Sequence, residues 1–420
     1  MSPLKTQPVN PRRLPWNSAP IEVFHELSHL PKLVFLDASG NLPQGSNAPH
    51  SIIGANPAEI LTGNLHNEDD FAKFSHKYRD TLLSGPDSGL PIGAWIGHVD
   101  YNGAFWFGLY RNLLLYSHHS EEWHEVGGEE LSRLRQKNTI EDPPPFGQWT
   151  SNFTRQEFES IVAHAQEYIA AGDVYQVNLA QRFRAQVDGD RLLPYHERLR
   201  TASPAPMSAY LDTGTREILS SSPELFLRLS GNNIQTRPIK GTRPRFDDPA
   251  NDLRSSHELK TSEKEMAELL MITDLLRNDL GRICEFGSVQ VDSLAQLESL
   301  AQVHHLVSTV SGTLNEGVNH LDALKSCSPG GSITGAPKKR ACEIIAELET
   351  VPRGLYTGSL GYFGLNGESQ FSIVIRTLIH EKAQNLAHYH VGSGVVADSS
   401  PHAEYEETLH KAKGLRLALK

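Results

Sequence analysis

Strand-like and helix-like runs follow one another in this chain without the regular β–α–β alternation that builds a doubly wound sheet. That irregularity limits the fold more than any other feature. KLVFLDAS, IGAWIGHVDY and AFWFGLYRNLLLYSH are short apolar runs set among Gly and Pro, and they read as strands of an antiparallel sheet. TRQEFESIVAHAQEYIAAGD carries apolar residues at helical spacing, with Thr154 placed to cap it and Gly172 to end it. VYQVNLAQRFRAQV is a strand, the stretch near Leu192–Arg200 a helix, and SAYLDT, EILSSSP, LFLRLS and NIQTRPIKGTRPR are strands again. SSHELKTSEKEMAELLMITDLLRNDLGRI contains a long helix with Met266, Leu269, Leu270, Thr273 and Leu276 on its apolar side. PKKRACEIIAELE is a helix, GSLGYFGL and SIVIRTLIH are strands, and AEYEETLHKAKGLRLAL is a closing helix. The mixture predicts an α+β fold. Residues 1–20 read as a poorly ordered arm or edge segment, 21–125 as a β-rich segment, 126–150 as a polar linker, and 151–420 as a second region of mixed helices and strands.

A chain of 420 residues needs two domains or one large intertwined one. No apolar run approaches the roughly 20 residues that span a bilayer, and the first residues lack the apolar core of a signal peptide. The three cysteines show no CxxC spacing, which fits a reducing cytoplasm and argues against structural zinc. A net charge of -11 repels nucleic acid and anionic membrane, so an anionic ligand must be held by a local basic cluster.

Several groups suit such a site. Glu265 and Glu268 lie three residues apart, as do Glu404 and Glu407, so each pair shares a helix face. Like charges so placed suit a divalent cation such as magnesium, which takes carboxylates and water; two solvated helix faces read the same way. SPGGSITGAPKKRA is a glycine-rich turn running into a helix, with Ser332 or Thr334 as cap and Pro337 in the first turn. Ala336 and Pro337 stand where a P-loop needs Lys and Ser/Thr, leaving either a carboxylate-binding turn or a merely tight one. HVGSGVVADS sets Gly392 and Gly394 around Ser393 with backbone donors exposed. Arg376, inside the strand SIVIRTL, is costly to bury without an anion, which a protein carboxylate or a substrate would supply. TRPIKGTRPR gathers Arg237, Lys240, Arg243 and Arg245. It is a solvated basic loop unless Lys240, between Ile239 and Gly241, is desolvated into a nucleophile. Glu224 in SSSPELF and His305 in VHHLVSTV are acid–base candidates, His305 equally a satisfied core histidine.

Taken in order, GDVYQVNLAQRF, SSSPELF, TRPIKGTRPR, ELLMITDLLRNDLGRI, VHHLVSTV, GGSITGAPKKRACEII, GSLGYFG and VVADSSPHAEYEET make the stretch from about Gly172 to Thr408 similar to the chorismate-utilising enzymes. The resemblance implies a layered α/β/β/α fold with two packed antiparallel sheets and interwoven halves. It implies Mg2+ at Glu268 and Glu407, with Glu265 and Glu404 beside them. It implies substrate contacts from Arg376, Tyr356 and the Gly392–Ser393–Gly394 backbone. Ser332, Thr334, Gly241 and Thr242 would line the same site, and His305 matches the active-site histidine.

Two positions address the branch of the family. Branches that add water to chorismate carry a general-base lysine where this chain has Gln176, and anthranilate synthases have Ala where it has Lys240. The resemblance therefore implies the aminodeoxychorismate branch. There the lysine attacks the ring and displaces the 4-hydroxyl, ammonia displaces the lysine, and a carboxylate like Glu224 moves the proton. None of the cysteines sits in a G-x-C-x-G turn, so ammonia is expected from a separate glutaminase subunit. The alternatives are anthranilate synthesis and a silent chorismate-binding protein. LDAS, at Leu36–Ser39, is the one hint that tryptophan binds the N-terminal region, and a buried strand end explains it equally well.

Overall fold

The computed structural model describes residues 11–38, 50–83, 89–128, 130–138, 142–189, 191–300 and 302–420. They form two large sheets, of twelve and ten strands, in which every ladder is antiparallel. The twelve-stranded sheet runs from Arg12–Leu14 at one edge, through Val34–Asp37, Met207–Asp212, Arg216–Ser222 and Thr377–Glu381, to Leu386–Val395, Gln176–Gln186 and Gly335–Ala336. The ten-stranded sheet runs from Ile239–Pro244 through Val303–Thr313, Asn233–Arg237, Leu225–Ser230, Glu368–Ile373, Ser359–Gly364, Ala94–Val99 and Ala104–Tyr110 to Ile60–Asn64.

Period-two alternation puts a layer on each side of each sheet. In Ala94–Val99, Ala94 and Ile96 face the other sheet and join Val34, Leu211, Ile218 and Ile379 in the core between the sheets. Trp95 and Val99 face outward, against Phe74 and Tyr78 of the helix Glu68–Thr81. Behind the twelve-stranded sheet, Val162 and Phe158 of the helix Arg155–Ala170 pack with Leu179, Ile344 and Val395. The result is helix, sheet, sheet, helix. Chain ends are interleaved, since Val34–Asp37 pairs with Met207–Asp212 and Ala94–Val99 with Ser359–Gly364.

Local signals explain many boundaries. The Thr154 hydroxyl accepts from Glu157 N while Glu157 accepts from Thr154 N, a reciprocal capping box, and Gly172 ends the helix region at φ +85°. Several expectations need correction. AFWFGLYRNLLLYSH is two strands, Ala104–Tyr110 in one sheet and Leu113–Ser117 in the other. Each is buried, so the apolar run continues across the turn and hides it. SIVIRTLIH divides likewise, between Glu368–Ile373 and Thr377–Glu381, so Arg376 is not mid-strand but sits at the crossover with φ +51°. On the helix Glu263–Gly281, Leu269, Thr273 and Leu276 are buried as expected, but Leu270 is 54% exposed, and Ile272 and Leu280 join the buried side. In the stretch read as linker, Phe146 bridges Val187 and Trp149 packs on Tyr389. Arg12–Leu14 pairs with Glu122–Val126 as an edge strand, while residues 1–10 of the arm and Ser39 lie outside the described residues.

Candidate active site

Two chain crossovers between the sheets create the site. Pro223 and Glu224 link Arg216–Ser222 of one sheet to Leu225–Ser230 of the other; residues 374–376 link Glu368–Ile373 to Thr377–Glu381. The crossovers lie side by side, with Ile373 N donating to Glu224 O, Ser222 Oγ to Ile373 O, and Ser221 N to Arg376 O. Glu224 and Arg376 are thus delivered together by adjacent crossovers.

Glu224 is buried, and burial raises its pKa to about 6 against the opposing pull of a Ser332 hydrogen bond and of Lys240, Lys411 and Arg376. Arg376 makes no side-chain hydrogen bond or ion pair among the described residues. Burial lowers its pKa, and Glu224 is the charge that offsets this. A guanidinium left open in this way is suited to a bidentate anionic ligand.

Lys240 comes from the ten-stranded sheet, opposite Leu306. The register shifts between Lys240 and Thr242 because Gly241 adopts φ +68°, forming a bulge that re-aims its neighbours. A Cβ on Gly241 would lie 2.7 Å from Leu259 Cδ1 and 3.1 Å from Glu265 Oε2, so glycine here permits the close approach of the acidic helix. Burial lowers the Lys240 pKa, and nearby Lys411 adds to the effect; Glu268, Glu224 and Glu407 pull the other way. His305, next to Leu306 on the facing strand and paired with Thr242, contacts Thr242 Oγ1 at 3.0 Å and Gly241 O at 3.4 Å through Nδ1. Its Nε2 is buried without a partner. Burial, then Arg376, pulls its pKa to about 4, so at neutral pH it is an uncharged hydrogen-bonding group rather than a proton carrier.

The four glutamates divide by environment. Burial raises Glu268, with Glu265 and Glu407 adding to the effect and Lys240 opposing it. Burial also pushes Glu407 up, but the Lys411 ion pair at 2.8 Å outweighs it, and the pKa is lowered. Glu265 approaches Arg243 at 3.5 Å. Glu404 is buried, accepting from Ser399 Oγ at 2.7 Å through one oxygen, while its other oxygen has no partner. An all-carboxylate set with an orphaned buried oxygen fits the donor chemistry of magnesium. Among the described residues, however, no three such side chains converge closely enough to enclose an ion.

Gly392 and Gly394 are not in a turn but within the strand Leu386–Val395, opposite Ala180 and Asn178. That strand pairs with Thr377–Glu381 only over Leu386–His388, because the partner turns away at the Arg376 crossover. A Cβ on Gly392 would lie 2.7 Å from Leu179 O and 2.9 Å from Tyr356 Oη; one on Gly394 would lie 2.4 Å from Gln176 Nε2. The glycines therefore let Gln176, Asn178 and Tyr356 approach this strand closely on one face, and alternation sends Ser393 to the opposite face. Tyr356 stacks on His390 at 5.1 Å. The Gln176 and Asn178 side-chain oxygens are buried and unpartnered.

The glycine-rich turn is built differently from the expectation. Pro337 is itself the N-cap of Lys338–Leu348, and neither Ser332 nor Thr334 caps it. Thr334 donates to Gly330 O at 3.0 Å within the turn, while Ser332 meets Glu224. Two groups went unnoticed in the sequence. Lys411 bonds Gly392 O at 3.0 Å, and its position four residues after Glu407 was the available signal. Arg353 lies in a prolyl loop that periodicity does not describe.

The chorismate binding enzyme family model matches residues 94–416, and the chain belongs to that family. It is 46% identical over 282 residues to anthranilate synthase component 1 of Aquifex aeolicus, covering 67% of this chain but 56% of that relative. It is 40% identical over 423 residues to aminodeoxychorismate synthase component 1 of Bacillus subtilis, covering 88% and 89%. Anthranilate synthase component I from Streptococcus pneumoniae superposes with a TM-score of 0.77 at 28% identity, over 88% of this chain and 92% of that one. The family, the mixed fold and the two packed sheets expected from the sequence are thereby established. Among the described residues no helix is long and apolar enough to cross a membrane.

Proposed function

We propose that the chain aminates chorismate to 4-amino-4-deoxychorismate, with Lys240 as the nucleophile. The observation that carries the reading is a half-buried lysine with a lowered pKa, set among Glu224, Glu268, Glu407 and Lys411 at the Gly241 bulge. Its neutral amine forms a C–N bond to the ring as the 4-hydroxyl departs, taking a proton from Glu224 and leaving as water. Ammonia then forms its own C–N bond, the Lys240 amine departs, and Glu224 recovers a proton. Arg376 and the Gly392–Gly394 backbone hold the substrate carboxylates, with Tyr356 beside them. Neutral His305 donates or accepts a hydrogen bond through Nε2.

Glu268 and Glu407, with Glu265 and Glu404 beside them, would hold Mg2+, which when bound screens and orients a substrate carboxylate. Ammonia is scarce at neutral pH, and relatives named as "component 1" point to a second component; we assign that role to a glutaminase subunit.

Anthranilate formation is the second reading, supported by the Aquifex relative. Lys240 favours amination without elimination, Gln176 speaks against the branches that add water, and a retained lysine and four glutamates speak against a silent binder. Chorismate, ammonium and magnesium given to the purified chain should yield 4-amino-4-deoxychorismate with no pyruvate. Anthranilate with stoichiometric pyruvate would overturn the assignment.

A further inference from the structure

We infer that Arg353 is the positioning residue of the chorismate-binding face, an inference that rests on the chorismate reading above. Arg353 is 3% exposed, and all five of its guanidinium N–H groups are accounted for. Nε donates to Glu349 Oε2 at 3.0 Å. Nη1 donates to Ile333 O at 3.0 Å and Thr357 Oγ1 at 3.2 Å. Nη2 donates to Asn178 O and Glu349 Oε1, both at 2.7 Å.

Each acceptor belongs to a different wall of the site. Ile333 follows Ser332, the hydrogen-bond partner of Glu224. Asn178 lies opposite Gly394 on the strand that also carries Gln176. Thr357 follows Tyr356 and is held at φ +61°, a left-handed conformation that a β-branched residue adopts only under constraint. Thr357 Oγ1 in turn donates to Tyr356 O at 2.6 Å. The rings of Tyr101 and Tyr356 flank the guanidinium at 5.0 and 5.7 Å.

Glu349 completes the device. It neutralises Arg353, and its Oε1 also accepts from Ala180 N at 3.0 Å, beyond the two residues at which Gly335–Ala336 pairs with this strand. One planar fork therefore sets the spacing of three segments that line the chorismate face without itself touching the ligand. A lysine would keep the charge against Glu349, but it has no rigid fork to reach Ile333, Thr357 and Asn178 together.

The test compares Arg353→Lys with wild type in the full chain, by equilibrium binding of chorismate in magnesium and by amination kinetics. The expected result is a chorismate Kd and KM about tenfold higher, an unchanged ammonium KM, and a thermal midpoint near that of wild type. Replacing both partners, Arg353→Met with Glu349→Leu, avoids a stranded buried charge and should give the same rise. Wild-type chorismate affinity per folded molecule in both variants, with only stability altered, would show a structural strut and overturn the inference. A wild-type chain that binds chorismate but does not aminate it defeats the reaction reading alone, because the Kd comparison still decides the role of Arg353.

Discussion

Two arginines at the same site show opposite states of satisfaction. Arg353 bonds through all five donors, to three segments and one buried carboxylate. Arg376 makes no side-chain bond among the described residues, although burial lowers its pKa. A buried polar group without partners is costly, and folded proteins leave few of them. The satisfied region holds shape, while the unsatisfied one, with half-buried Arg376 and the buried His305 Nε2, Glu404 Oε2 and Gln176 and Asn178 oxygens, is arranged to meet something else. Lys240 belongs to the second region.

The largest break in this contrast should come from Lys240→Ala, expected to slow amination about a thousandfold or more while chorismate still binds. Arg376→Met comes next. Losing a desolvated charge partner costs about 2–5 kcal/mol, so chorismate KM should rise roughly 30- to 5,000-fold with little loss of fold stability. If chorismate KM hardly moves, Arg376 is not the carboxylate clamp. Glu268→Gln or Glu407→Gln should lower activity and raise the magnesium needed for half-maximal rate by about tenfold or more; a magnesium titration unchanged from wild type would remove both from the metal site.

Glu224 sharpens the comparison through stability. Its folded pKa, raised to about 6, lies above the ordinary 4.5, so the folded state binds this proton more tightly than the unfolded chain does. The favourable contribution is complete below about 4.5 and is lost as pH rises through about 6. Ionised Glu224 therefore costs about 2 kcal/mol at neutral pH, at 1.36 kcal/mol for each pK unit. Glu224→Gln should raise the thermal midpoint at pH 7.5 more than at pH 4.5 while abolishing amination. An equal shift at both pH values would place the effect elsewhere. The smallest effect belongs to the scaffold: Thr154→Ala removes a capping box and should cost about 1 kcal/mol of stability without changing chorismate KM.

Much of the architecture was legible because burial and alternation coincide. Thr154, Gly172 and the strand Gln176–Gln186 lie where local rules put them. The sheet crossings were not legible. At Arg376 and at Arg111–Asn112 the chain leaves one sheet for the other, yet both flanks stay apolar because each sheet is covered on two faces. This matters for the site, since the crossings bring Glu224 to Arg376 and open the edge at Gly392. Residue chemistry marked Lys240, Glu224 and Arg376 as unusual. Which groups would be satisfied depended on long-range partners such as Asn178 O for Arg353, and no local pattern encodes those.

The central claim, that Lys240 is the unsatisfied region's nucleophile, is tested most directly by intact-protein mass measurement after mixing the chain with chorismate and magnesium but no ammonium. The account predicts a fraction of protein heavier by one chorismate less one water, mapped to the peptide containing Lys240, discharged by added ammonium and absent in Lys240→Ala. Product formation on ammonium addition with no such species in rapidly quenched samples, together with full turnover by Lys240→Ala, would contradict it.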